Sequence, residues 1–130
     1  MRYFHTALSV KSIAVSQKFY EAVFDLKLKS QGERKELSVR FVNLEDEGGN
    51  VIELFEHDNP LPLSENLMDF QKIGIKHIAF IVDNIEDTLD KAVKNGATII
   101  WPPKEGVTVK RVAIIGDLDG IPVELVELRD

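Results

Sequence analysis

The chain has 130 residues, 44% hydrophobic and 29% charged, with a formal net charge of −6 and no cysteine, which suits one globular domain and excludes a disordered or fibrous chain. The acidic balance argues against nucleic acid as a partner, since phosphate binding needs clustered Lys and Arg. Lack of cysteine excludes a disulfide framework, a thiolate zinc site and a cysteine nucleophile. Apolar runs are only a few residues long, far below the roughly 20 that span a bilayer, and no signal-peptide core is visible. The expected setting is therefore the cytoplasm, with no membrane partner.

Tyr3 to Val10 reads as a strand whose alternation sets His5, Ala7 and Ser9 on one face and Phe4, Thr6, Leu8 and Val10 on the other. Ser12 caps a helix running to about Asp25, with Ser16, Phe19, Tyr20 and Val23 as its buried stripe. Leu26 to Gln31 and Leu37 to Leu44 read as strands, Asp46 to Asn50 as a turn, and Val51 to Glu56 as a fourth strand. The Pro60 and Pro62 region forms a linker with a weak helical pattern over Ser64 to Phe70. The order then repeats. Ile75 to Val82 is a strand, and Asn84 caps a helix with the stripe Ile85, Leu89, Ala92 and Val93 that Gly96 ends. Strands follow at Thr98 to Trp101, Lys110 to Ile115 and Ile121 to Leu128. Pro102 to Gly106 reads as an irregular loop, a candidate flap. The expected class is α+β, with two tandem βαβββ modules in one domain: module one at 1–57, linker at 58–73, module two at 74–130.

Val51-Ile52-Glu53-Leu54-Phe55-Glu56 is echoed by Pro122-Val123-Glu124-Leu125-Val126-Glu127, and each copy follows a short apolar run opened by a histidine, His5 or His77. Counting from residue 5 to 53 gives 48 positions, and from 77 to 124 gives 47. A lone histidine in an apolar strand is more often a hydrogen-bonded core residue than a ligand. A carboxylate among Val, Ile, Leu and Phe needs a cation nearby, and a salt bridge to Arg40 or Arg111 would serve. The doubling favours a metal site instead. Two imidazoles and two carboxylates form an N2O2 set that suits one divalent ion, Ni, Zn, Co, Mn or Fe, with positions left open for a small-molecule substrate. A carboxylate able to leave the ion is a natural base. Phe55 and Trp101 are candidates for an apolar wall, His57 for a contact at the pocket mouth, and Arg40, Lys104 and Arg111 for an anionic substrate group.

The paired modules, the His5 and His77 strands, the Glu53 and Glu124 strands and the Asp117-Leu118-Asp119-Gly120 turn resemble the vicinal oxygen chelate superfamily over essentially the whole chain. The order His, Glu, His, Glu resembles the glyoxalase I (lactoylglutathione lyase) branch. That resemblance implies a curved mixed sheet around a metal-binding cleft and a homodimer with the ion held between modules. It also implies Glu124 as the catalytic base, assisted by Glu53, in an isomerisation that yields a 2-hydroxyacyl thioester. Related alternatives are a metal-dependent epimerase, thiol transferase or dioxygenase, and a metal-free small-molecule binding protein. The chain departs from the glyoxalase I pattern where glutathione would be gripped. Ser9 stands in place of an arginine, His57 in place of an asparagine, and Lys104-Glu105-Gly106 lies out of register with the usual Lys-Gly-Gly.

Overall fold

Ser12 and Asn84 decide where the two helices begin, because each side chain accepts a hydrogen bond from a backbone N–H that the first helical turn leaves without a partner. Ser12 accepts from Val15 N at 3.3 Å and Asn84 from Asp87 N at 2.9 Å. The computed structural model describes residues 1–130, which divide into two units, Met1–Pro62 and Leu63–Asp130. Unit one contains β1 (His5–Ser9), α1 (Ile13–Phe24), β2 (Lys27–Arg34), a 3-10 turn at Lys35–Leu37, β3 (Val39–Glu45) and β4 (Val51–His57). Unit two contains β5 (Ile78–Ile81), α2 (Ile85–Lys94), β6 (Thr98–Glu105), β7 (Arg111–Gly116) and β8 (Pro122–Glu127). Each unit is thus a βαβββ module with its own mixed sheet, ordered β1-β4-β3-β2 in one and β5-β8-β7-β6 in the other. No helix is long and apolar enough to cross a membrane.

Each helix buries its stripe against one face of its own sheet. Ser16, Phe19, Tyr20 and Val23 of α1 are buried, as the spacing predicts, together with Leu8, Val42, Leu44 and Leu54 of the sheet. In α2 the buried stripe is Ile85, Thr88, Leu89 and Ala92, while Val93 is exposed. Thr88 takes the place assigned to Val93 because positions 85, 88, 89 and 92 share one helical face. Its hydroxyl is satisfied by donating to Asn84 O at 3.1 Å.

Several segments differ from their sequence reading, among them the strand expected over Ile75 to Val82, of which only Ile78–Ile81 forms β5. The helical pattern over Ser64 to Phe70 forms turns and no helix, because Asn66 and Asp69 side chains accept from the backbone N–H groups of Met68 and Gln71 and compete with helical pairing. The expected loop at Pro102 to Gly106 is largely strand, since β6 runs to Glu105 and pairs Lys104 with Val112 and Glu105 with Arg111. A register shift between Trp101 and Lys104 absorbs Pro102 and Pro103, and β6 is an edge strand, where proline is tolerated. β2 extends to Arg34, with all eight residues exposed. Its lysines and its bulge after Leu28 suit an unprotected edge.

Both units carry the same charged clamp at the start of their helix. Glu56 Oε1 accepts from Ile13 N at 2.7 Å while its other oxygen pairs with Arg40, the residue opposite it on β3. Glu127 Oε2 accepts from Ile85 N at 2.8 Å, and Arg111, opposite it on β7, donates to both its oxygens. Arg111 also forks onto Glu86 with two bonds of 2.7 Å. The carboxylates thereby satisfy a helix N-terminal donor and sit at the positive end of the helix dipole. Arg111 holds the Glu86 carboxyl down at about 2, from an ordinary 4.5, and with Ile85 N–H it lowers that of Glu127. A depressed carboxyl contributes stability that is complete above its unfolded value and is lost as pH falls through its folded value. Stability from this clamp should therefore decline between about pH 4.5 and 2. Glu127→Gln should lower the thermal midpoint at pH 7 by roughly 5–10 °C. Its midpoint should also fall less steeply than that of the natural chain between pH 5 and 2, as read by circular dichroism melts.

Candidate metal centre

Parallel pairing of the first and last strands of each unit brings a histidine and a glutamate together. Ala7 pairs with Glu53 and Ala79 with Glu124. Side chains two residues apart in a strand share a face. His5, two before Ala7 in β1, therefore lies one diagonal step from Glu53, and His77, just before β5 begins at Ile78, stands at the matching place beside Glu124. The two units repeat this geometry residue for residue. His5 Nε2 lies 3.5 Å from Glu53 Oε1, and His77 Nε2 lies 3.9 Å from Glu124 Oε2.

Both pairs are largely sheltered, with side-chain exposures of 31% and 14% for His5 and Glu53 and of 31% and 20% for His77 and Glu124. The salt-bridge alternative for these glutamates does not hold. Arg40 and Arg111 point to Glu56 and Glu127, on the helix-facing side of β4 and β8. The histidines are not hydrogen-bonded core residues either, because Nδ1 of each ring is buried without a partner. A polar atom left so costs about 1–3 kcal/mol. Stability alone gives no reason for such rings.

A divalent ion fits these donors. Zinc-type ions bind imidazole nitrogen and carboxylate oxygen at about 2.0–2.2 Å, so two ligands of one ion stand no more than about 4.2 Å apart. Separations of 3.5 and 3.9 Å fall inside that limit and are long for a hydrogen bond. Each unit offers one nitrogen and one oxygen ligand, and neither assembles three or more such side chains by itself. Half of a four-ligand shell is thus available per unit.

The remaining candidates make contacts within their own units. Ser9 is exposed on β1, one same-face step beyond Ala7 and opposite Phe55. Phe55 packs edge to face on Phe41 with ring centroids 6.2 Å apart. Trp101 meets Phe70 edge to face at 6.0 Å, and Lys104 Nζ lies 3.5 Å over the Trp101 ring. His57 ends β4, and its Nδ1 accepts from Asn59 N at 2.9 Å, a turn contact. Arg40 and Arg111, proposed from sequence as substrate cations, are already engaged by carboxylates of their own units. A cavity of about 370 Å³ on unit one is lined by Asp25, Lys27, Glu45, Asp46 and Glu47 and includes neither His5 nor Glu53. Sequence reasoning missed the structural tasks of Glu56 and Glu127. Their signal was present, since each follows the ligand-type glutamate by three positions and its arginine by 16.

The family model described as the Glyoxalase/Bleomycin resistance protein/Dioxygenase superfamily matches residues 2–125. A lactoylglutathione lyase of Escherichia coli O157:H7 is 32% identical over 138 residues, covering 100% of this chain and 95% of that protein. The uncharacterized protein YaeR of Escherichia coli K12 is 30% identical over 123 residues, covering 95% and 93%. The crystal structure of a glyoxalase family protein from Bacillus cereus superposes with a TM-score of 0.84 at 18% identity, over 100% and 95% of the two chains. If the paired donors hold an ion, chelator-stripped protein should take up one divalent ion per site in a calorimetric titration. His5→Ala and His77→Ala should each weaken that uptake by at least about tenfold.

Proposed function

The chain belongs to the glyoxalase/bleomycin resistance protein/dioxygenase superfamily, and we propose that within it the chain is a metal-dependent lyase of the glyoxalase I type, acting on the adduct of a small 2-oxoaldehyde with a thiol. The observation that carries this reading is the repeated His–Glu pair, at 3.5 Å in one unit and 3.9 Å in the other, with both nearby arginines diverted elsewhere. Full-length similarity to lactoylglutathione lyases supports it. Since one pair is half a shell, a homodimer is proposed in which His5 and Glu53 of one copy meet His77 and Glu124 of the second around one ion.

A divalent ion held by these four residues would supply Lewis acidity, lowering the cost of negative charge that develops on two neighbouring substrate oxygens. The protein's own part is proton movement. In the hemithioacetal, the carbon bearing sulfur loses its proton to a Glu124 oxygen and the proton returns to the adjacent former carbonyl carbon, while the hydroxyl proton passes to the neighbouring oxygen. Electrons shift within the substrate, so a 2-hydroxyacyl thioester forms with no net oxidation. Glu53 assists from the opposite side. Trp101, Phe55 and Ser9 are the proposed wall for the thiol portion, with Lys104 and His57 at its rim. With Arg40 and Arg111 committed to Glu56 and Glu127, this set carries less positive charge than a glutathione grip needs, which supports a thiol other than a tripeptide dicarboxylate.

Metal-loaded protein given methylglyoxal and a panel of thiols should produce thioester absorbance with at least one of them. Silence with every thiol, despite bound metal, would rule the reading out. Glu124→Gln should lose about 10²–10⁴-fold in kcat, the usual worth of a positioned base, with a much smaller loss of metal.

A further inference from the structure

Glu53 and Glu124 occupy equivalent places, yet the residues directly across from them differ in kind. On β3, Asn43 pairs with Glu53, while on β7, Ile114 pairs with Glu124. Directly opposed side chains on neighbouring antiparallel strands have Cβ atoms about 4.5–5.5 Å apart and interact. Ile114 is fully buried and offers nothing polar. Asn43 offers an amide held from behind, for it is bonded to the Ser30 hydroxyl at 3.0 Å, and Ser30 is its register partner on β2. With Asn43 Nδ2 on Ser30 Oγ, the buried Oδ1 has no partner. A carboxylate neighbour cannot supply one, because an ionised carboxylate only accepts.

A half-turn of the amide removes the conflict. Ser30 O–H then donates to Asn43 Oδ1, and the amide NH2 takes the orphaned position, with Glu53 the residue directly across on β4. The Ser30 hydroxyl and the Asn43 carbonyl then satisfy each other, and the amide NH2 is left to donate. We infer that Asn43 is a positioning residue that donates to the Glu53 carboxylate and fixes which oxygen Glu53 turns toward the ion. The inference rests on the metal reading above. Glu53 is thereby a pinned ligand, whereas Glu124, facing Ile114, keeps both oxygens free of a cross-strand donor. One carboxylate stays and the other is able to leave, a division the duplicated histidines and glutamates do not themselves specify. Outer partners of this kind orient ligands and alter metal affinity by about 10–100-fold.

Cobalt(II) titration of the chelator-stripped full chain, followed by calorimetry and by its visible absorption, tests this. Asn43→Ile copies the environment of Glu124 and suits a strand. It should melt within a few degrees of the natural chain, bind cobalt about 10–100-fold more weakly and change the absorption envelope. In a Glu53→Gln background the same substitution should add no more than about twofold. Ser30→Ala, on the exposed edge strand, should weaken binding about two- to fivefold without unfolding risk. If Asn43→Ile and Ser30→Ala both bind cobalt as tightly as the natural chain does, or if the Asn43→Ile loss is as large in the Glu53→Gln background, the inference fails and the metal reading stands. A natural chain that takes up no cobalt, or a Glu53→Gln variant that binds it unchanged, overturns the metal reading and this inference with it.

Discussion

The parallel pairing of β1 with β4 and of β5 with β8 is the constraint on which each unit depends. Parallel neighbours cannot be joined by a tight turn, so a helix and two further strands must intervene in the chain. The crossover places an apolar stripe over one face of the sheet, while the opposite face carries the His–Glu pairs among apolar residues such as Phe55 and Ile114. On that face the register alone sets His5 beside Glu53 and His77 beside Glu124. A slip of one residue would turn each glutamate into the helix side, where Leu54 and Leu125 are fully buried. Hydrophobic burial by the helices therefore fixes the position of the acids without touching them.

Charge is divided between the faces by the same alternation. Glu56 and Glu127, three positions beyond Glu53 and Glu124, fall on the helix side and meet both an arginine and a helix N-terminus. Those contacts favour ionised carboxylates and tie the last strand to the helix that covers it. Glu53 and Glu124 fall on the other side and receive a histidine. An arginine there would neutralise the acids permanently and close them to the proposed ion. The clamps thus stabilise each unit and also keep the strongest local cations away from the candidate site.

The doubled pattern made most of this legible in sequence. Repeated apolar strands and two capped helices gave the α+β class and the βαβββ order, because period-2 and period-3.6 burial leave direct traces in residue spacing. The pairings of His5 with Glu53 and of His77 with Glu124 were legible for the same reason, since near-equal offsets on corresponding strands give corresponding placement. What stayed hidden depends on partners set by tertiary register. Pro102 and Pro103 look like a loop in sequence, and only the edge position and bulge of β6 admit them to a strand. Arg40 and Arg111 look like free cations until β3 and β7 set them opposite Glu56 and Glu127. Asn43 carries no signal in its own segment, because its meaning comes from the residue across the sheet.

Duplication with divergence explains why two similar halves can do dissimilar work. Two modules with the same pattern deliver identical donors, which leaves undecided which carboxylate of the proposed site would give way. The decision has to come from residues the duplication did not keep equal. Asn43 and Ile114 are such a pair, and so are the clamps: Arg111 is shared by Glu86 and Glu127 and is half as exposed as Arg40, which serves Glu56 alone. The strand bearing Glu124 is therefore the more firmly tied at its helix end, while the residue directly across from Glu124 is the apolar Ile114. A base that must leave and return to one place is better served by a rigid strand and an unencumbered side chain than by the reverse. The asymmetry in supporting contacts points the same way as the assignment of Glu124 to proton transfer.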